Sequence, residues 1–304
     1  MSTQTSTGVK VEEKPRRHKD WGSKLVQYAV NIVLVCFFAF PLVFMIMSSF
    51  KANDQIFADL RSLRAFLPVG ELSLANYQAV FEKSKFFRFL GNSIFISLTT
   101  IALALVVNSM MAYALARLKW PGQRLVLAII IATLIIPAET VIMPLLLMVS
   151  RLPSFSLAEG FKLGWLNTYQ VQIIPFIVSA FSIFLFYQFF RDIPKDLDEA
   201  ALVDGASRFQ IYRKIIVPNS GPVFATVTIL TFIGTWNAFL WPTMTVQSEN
   251  LRPVMVGMQY FFQQDTEWGE VMAYATLITI PVLVLFLVFQ RSFVQSIAST
   301  GIKG

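Results

Sequence analysis

The sequence predicts an all-α membrane protein, a bundle of six transmembrane helices. Composition is the first observation: of 304 residues, 55% are hydrophobic and only 14% charged, and mean hydropathy is +0.60, whereas a soluble domain carries about 25% charged residues. The second is that the apolar residues fall in six uninterrupted runs, 25–50, 89–116, 125–150, 163–190, 215–248 and 271–290, each long enough for the ~20 helical residues that cross a bilayer. The runs are continuously apolar rather than alternating, so each must satisfy its own backbone as a helix rather than join a barrel.

Residues 1–24 are polar and read as a cytoplasmic tail. The first run lacks a small-residue cleavage site, which marks a retained span rather than a signal peptide. It holds Cys36, the only cysteine, and one thiol makes neither an intrachain disulfide nor a metal cluster. No metal site is expected. The third run contains the only ionisable residue in any span, Glu139, flanked by Pro137 and Pro144. At ~1.5 Å rise per residue Glu139 lies some 20 Å from the inner end, past the midplane. A carboxylate facing hydrocarbon there costs at least ~2.5 kcal/mol, so Glu139 and the two prolines are candidate pathway residues, with Asn237 of the fifth run and the intramembrane Asn92 and Asn108 able to share a polar interior. For Glu139 the competing roles are a structural hydrogen bond within the bundle or an exposed position near the outer surface, for the asparagines a helix-to-helix bond, and for the prolines packing irregularity.

Lys and Arg set the orientation. The segments 1–24, 117–124, 191–214 and 291–304 hold 16 of the 25, against 9 in the alternate segments, so both termini are expected on the cytoplasmic side. The formal charge of +7 is largely this bias, and nucleic-acid binding is not expected. The three segments are thus a tail 1–24, a six-helix transmembrane bundle 25–293 and a C-terminal tail 294–304.

The loop 191–221 is the most informative stretch. Leu197, Ala200, Ala201 and Asp204 share one face of a short helix after Pro194, and Gly205 follows as a left-handed stop. Ser207 and Gln210 then have capping-box spacing for a second helix that ends before Pro218. Asp196, Asp198, Glu199 and Asp204 offer carboxylates to a basic partner, beside small residues that permit close approach. Four carboxylates in nine residues suit an anionic membrane surface poorly, so a docking element is expected.

Glu199-Ala200-Ala201, three residues, Gly205, nine residues, Ile215, one residue, Val217, Pro218 resembles the EAA signature of binding-protein-dependent importer permeases, with valine at 217 where leucine is usual. Stretches beginning at Ala112 and ending at Pro121-Gly122, Ile136-Pro137 through Met143-Pro144, Trp236-Asn237 through Trp241-Pro242, and Gly301 to Lys303-Gly304 are similar to the shorter, six-span subunit of maltose-type sugar permeases. The resemblance implies the type I importer permease fold in a prokaryotic inner membrane, a heterodimer with a second permease, two ATPase subunits that bind ATP and Mg, and an extracytoplasmic solute-binding protein. It assigns ATPase coupling to Glu199, Ala200, Ala201, Asp204, Gly205, Arg208 and Pro218, and makes Gly301, Lys303 and Gly304 part of a tail that reaches between the ATPases.

The sequence contains no Gly-x-x-x-x-Gly-Lys-Ser/Thr phosphate loop, no His-Glu-x-x-His, no Cys-x-x-Cys and no Gly-x-Ser-x-Gly, and its one histidine, His18, lies in the tail. The chain is therefore not expected to be an enzyme or to hold a cofactor. An ion-coupled secondary transporter, the alternative class, requires more intramembrane charge than Glu139 alone supplies. No Arg or Lys within a span can pair with a phosphate, which favours a neutral sugar, oligosaccharide or polyol over glycerol-3-phosphate.

Overall fold

The computed structural model describes residues 21–156, 160–262 and 266–301. They fall into two units that divide after Phe44. The first consists of the apolar helix α1 (Trp21–Ser48) up to that point. The side chains of 24–38, Cys36 among them, are exposed. Pro41 lies inside this helix without ending it.

The second unit opens with two short helices, α2 (Asn53–Asp59) and α3 (Ala75–Lys83), and a 3₁₀ turn at Leu63–Phe66 between them. Lys51, 1% exposed, donates to Asp59 at 2.9 Å and to the Arg64 carbonyl at 2.7 Å, which fastens this segment on itself. Lys83 pairs with Glu270 at 2.6 Å and ties α3 to the last helix. The segment is a helical cap that shares its core with the bundle, Val80 of α3 packing in one cluster with Phe89 and Tyr274.

Helix α4 (Phe86–Arg117) is the central post. Its buried face mixes apolar residues with Asn92, Ser93, Ser97, Thr100, Asn108 and Ser109, because in lipid the small and polar side chains turn inward and the large apolar ones outward. The third run is not one straight helix: α5 (Gln123–Thr133) and α6 (Ala138–Val149) meet at 104°. Pro137 has no N–H to continue the ladder and disfavours a helical conformation at Ile136. The main chain at 134–136 closes with tight i to i+3 bonds instead.

A two-stranded antiparallel hairpin follows, β1 (Pro153–Ser156) with β2 (Gly160–Leu163), an addition to the helical fold the composition predicts. The fourth span therefore begins at 169 rather than 163: α7 (Tyr169–Ile173), a 3₁₀ turn at Ile174–Phe176 and α8 (Ala180–Asp192), bent by 40°. Asn108 bridges that bend, accepting from the Ser179 N–H at 3.0 Å and donating to the Ile177 carbonyl at 2.8 Å. Asn92 likewise takes the Tyr169 hydroxyl at 2.7 Å and donates to the carbonyls of Asn250 and Arg252. Both asparagines serve the helix-to-helix role.

After the loop helices α9 (Asp196–Val203) and α10 (Arg208–Ile211) come α11 (Gly221–Trp236), α12 (Leu240–Thr245), α13 (Val254–Gly257) and α14 (Trp268–Gly301). Among the described residues three helices are long and apolar enough to cross a membrane alone, and up to six spans result when each bent pair is one. Two core clusters stack along α4, one around Phe89, Trp236 and Tyr274, the other around Phe186, Phe190, Ile211 and Tyr212 at the end that carries α9 and α10.

Candidate functional site

The loop 191–221 is built as its residue pattern dictates. Asp196, Asp198 and Glu199 occupy the first turn of α9, where negative charge is favourable to the exposed N–H groups of a helix start. The helix ends in a Schellman arrangement: the Gly205 N–H bonds the Leu202 carbonyl at 3.0 Å and the Ala206 N–H the Ala201 carbonyl at 2.9 Å. Gly205 has φ +80°, and a Cβ placed there meets nothing within 4 Å. The bend thus excludes larger residues through backbone strain alone, and its outer side is open. Ala201 and Ala206 pack against the core beneath.

The predicted capping box is present. Ser207 Oγ accepts from the Gln210 N–H at 3.3 Å, and Gln210 Oε1 accepts from the Ser207 N–H at 2.7 Å. The second helix stops just before Pro218, as its sequence predicts, with Ile216 as its last residue. It widens into a π-helical turn at Tyr212–Ile216, with the Val217 N–H on the Tyr212 carbonyl at 2.9 Å, and the chain passes through a 3₁₀ turn at Pro218–Ser220 into α11 with a 43° bend. The wider turn absorbs the hydrogen bond that Pro218 cannot make.

Three residues of α4 fasten this loop to the end of that helix. Arg117 places Nη1 3.6 Å from Asp198 Oδ2 and donates through Nη2 to the Ile193 carbonyl at 2.7 Å. The Tyr113 hydroxyl donates to the Arg208 carbonyl at 3.0 Å, and Ser109 and Tyr212 share a hydroxyl contact of 2.7 Å. Asp198 is thus turned inward, a departure from the expectation that it is offered to a partner. What remains outward are Glu199, Ala200, Asp204, Gly205, Arg208 and Val203, the last 88% exposed. Ala201 is half-buried and Pro218 exposed. A groove of about 900 Å³ runs beside this face, lined by Lys119, Trp120, Arg124, Glu199 and Arg208 among others.

The pathway candidates are not brought together. Glu139 sits exposed in the first turn of α6, Pro137 caps that helix, and Pro144 lies exposed within it. Asn237 closes α11 as an exposed C-terminal residue. A cavity of about 320 Å³ opens elsewhere, between α4, α8, α11 and α12, and none of these four lines it. Its polar wall is Ser93, Gln172, Ser179, Ser182, Thr231 and Thr235. The sequence signal for it was the helical spacing of Thr231, Gly234 and Thr235 within an apolar run. Of the tail candidates, Gly301 ends α14, while Lys303 and Gly304 lie outside the described residues, as does most of 1–24.

A bundle of bent spans, with a short-helix, glycine-bend, short-helix loop held at one end, defines a multi-pass membrane component of a transport system. Residues 108–299 match the family described as binding-protein-dependent transport system inner membrane component, and the chain belongs to that family. It is 32% identical over 300 residues to the probable ABC transporter permease protein YurM of Bacillus subtilis (strain 168), covering 97% of this chain and 94% of that one. It is 31% identical over 286 residues to the trehalose/maltose transport system permease protein MalG of Thermococcus litoralis, covering 92% and 96%. A crystal structure of a bacterial ABC transporter involved in the import of the acidic polysaccharide alginate shares the fold, with TM-score 0.75 and 22% identity over 92% of this chain and 100% of that one.

Proposed function

We propose that this chain is the shorter permease subunit of an ATP-driven importer for a neutral sugar, oligosaccharide or polyol in a prokaryotic inner membrane. It works as one half of a heterodimer with a second permease, beside two ATPase subunits that hold ATP and Mg and a solute-binding protein outside. The bundle 25–293 carries the transport function, and both termini, 1–24 and 294–304, lie on the cytoplasmic side with the loop 191–221.

The observation that carries the reading is the construction of that loop. Its inward side is fixed to α4 by Arg117, Tyr113 and Ser109, and its outward side offers Glu199, Ala200, Val203, Asp204 and Gly205 with space around the bend. A surface seated there by an ATPase moves α4 with it, because Arg117, Tyr113 and Ser109 tie the loop to that helix. Relatives named for trehalose/maltose and arabinooligosaccharide transport support the solute class, and the lack of any Lys or Arg within the spans agrees with a neutral cargo.

Glu139 fits a boundary with the second permease. It is exposed on this chain beside the 104° bend, and a carboxylate at membrane depth requires protein or water next to it. The tail ending in Gly301, Lys303 and Gly304 reaches the ATPases in the same picture. The test is reconstitution of the chain with its second permease, ATPases and binding protein in liposomes. ATP-dependent uptake that requires the binding protein and every subunit supports the assignment, and uptake by this chain alone, driven by an ion gradient, overturns it.

A further inference from the structure

Membrane helices usually silence their own hydroxyls. In this chain Thr226, Thr228, Thr235, Thr276 and Thr279 each donate to the carbonyl four residues earlier, at 2.7–3.0 Å. The reason is that an unbonded polar group in a low-dielectric interior costs about 1–3 kcal/mol or more. Ser182 of α8 and Thr231 of α11 depart from that habit: among the described residues neither hydroxyl has a hydrogen-bond partner, and both line the cavity of about 320 Å³. Gln172, only 3% exposed and on the same wall, donates to the Leu251 carbonyl at 3.2 Å but leaves its Oε1 without a partner. Ser93 accepts the Val254 N–H at 2.8 Å and keeps its own O–H to give.

Aromatic side chains also line the cavity. The Trp241 indole is locked by a bond to the Val171 carbonyl at 2.8 Å and meets Phe176 edge to face, with ring centroids 5.8 Å apart. None of the lining residues is Asp, Glu, Lys, Arg or His, so an anion or cation finds no counter-charge. Thr231 lies about ten residues along α11, ~15 Å at 1.5 Å per residue, or half the ~30 Å hydrocarbon thickness. A volume near 320 Å³ is at the small end of small-molecule sites, which run from about 300 Å³.

We propose that this cavity is a solute-contact site on this chain itself, taking one ring of a neutral polyhydroxylated solute, with Ser182, Thr231 and Gln172 bonding its hydroxyls and Trp241 and Phe176 covering its apolar face. The proposal rests on the importer reading and adds that the second permease does not carry all the contacts.

Gly234 supplies the test, since it lines the cavity and a Cβ there meets nothing within 4 Å. Gly234→Leu occupies the space from a helix that tolerates leucine better than glycine. In liposomes holding the whole transporter, uptake of labelled trehalose, maltose and arabinotriose is measured beside binding-protein-stimulated ATP hydrolysis. Wild type is expected to import at least one of the three. Gly234→Ala should import it within about twofold, Gly234→Leu at least tenfold more slowly with ATP hydrolysis retained, and Ser182→Ala/Thr231→Val with a severalfold higher half-saturation. Wild-type uptake by both Gly234→Leu and the hydroxyl pair would overturn the site while leaving the importer reading intact. Wild-type ATP hydrolysis with no uptake of any of the three would instead overturn the neutral-sugar reading and this assignment with it.

Discussion

Arg117, the last residue of α4, and Asp198, in the first turn of α9, form a buried ion pair with Nη1 3.6 Å from Oδ2 and side chains 2% and 10% exposed. The pair is loose, for Arg117 Nε and Nη1 and Asp198 Oδ1 have no hydrogen-bond partner. It is the charged link between the outward face of the loop and the central helix.

Removing one member strands the other. Arg117→Ala is expected to destabilise the protein at the lower end of the ~3–5 kcal/mol seen when a buried pair is broken, because the groove beside it admits some water. The double variant Arg117→Met/Asp198→Leu should recover most of that stability, since it leaves no buried charge. Thermal unfolding midpoints in detergent check this; a double variant less stable than the single one would show that the pair is a net source of stability.

Gly205 makes a sharper case because its surroundings are empty. With φ +80° and open space at Cβ, a substitution acts only through the backbone, at about 1–2 kcal/mol for a left-handed L-residue and more for a β-branched one. Gly205→Val should insert normally and lose stimulated ATP hydrolysis, whereas Gly205→Asn, which tolerates this conformation, should retain most of it. Equal activities in the two variants would remove the bend from the coupling mechanism.

Glu139 is expected to act through the second permease. Glu139→Gln should change the half-saturation of uptake at unchanged expression, and Glu139→Ala should change it further. Unchanged kinetics in both variants would take the residue out of the pathway.

The six spans and the loop helices were legible in the sequence because run length and capping chemistry are local. The break at Pro137 was visible as a kink but not as a 104° turn, since proline fixes where a helix stops and not where the next one goes. The hairpin 153–163 lies, all but Leu163, between the third and fourth apolar runs, where run length carries no signal for strand pairing. Asp198 was placed on the outer face with its neighbours because its partner, Arg117, belongs to another helix. The cavity was missed for a related reason: Ser182, Thr231 and Gln172 become significant only when two bent spans bring unbonded groups to one cavity.

Outside the spans, Asp59 gives a pH dependence. The Lys51 ammonium, donating at 2.9 Å, holds the Asp59 carboxyl below the usual carboxylate range. Its folded value lies below the unfolded ~3.9, so its stabilising contribution is complete above that value and is lost as pH falls through the folded one. The stability gap between wild type and Asp59→Asn should therefore be constant from pH 7 to about 5 and shrink below about 4. A gap that does not change on acidification would contradict the pairing.

Binding-protein-stimulated ATPase activity of the assembled complex carrying Glu199→Lys tests most directly whether the outward face of α9 couples this chain to ATP hydrolysis. Glu199 is exposed and makes no ion pair among the described residues, so reversing its charge leaves the fold of this chain intact and repels a basic partner surface. The expected result is a complex that assembles at wild-type stoichiometry yet loses at least tenfold of its stimulated hydrolysis and its uptake together. Stimulated hydrolysis at the wild-type level would contradict that coupling.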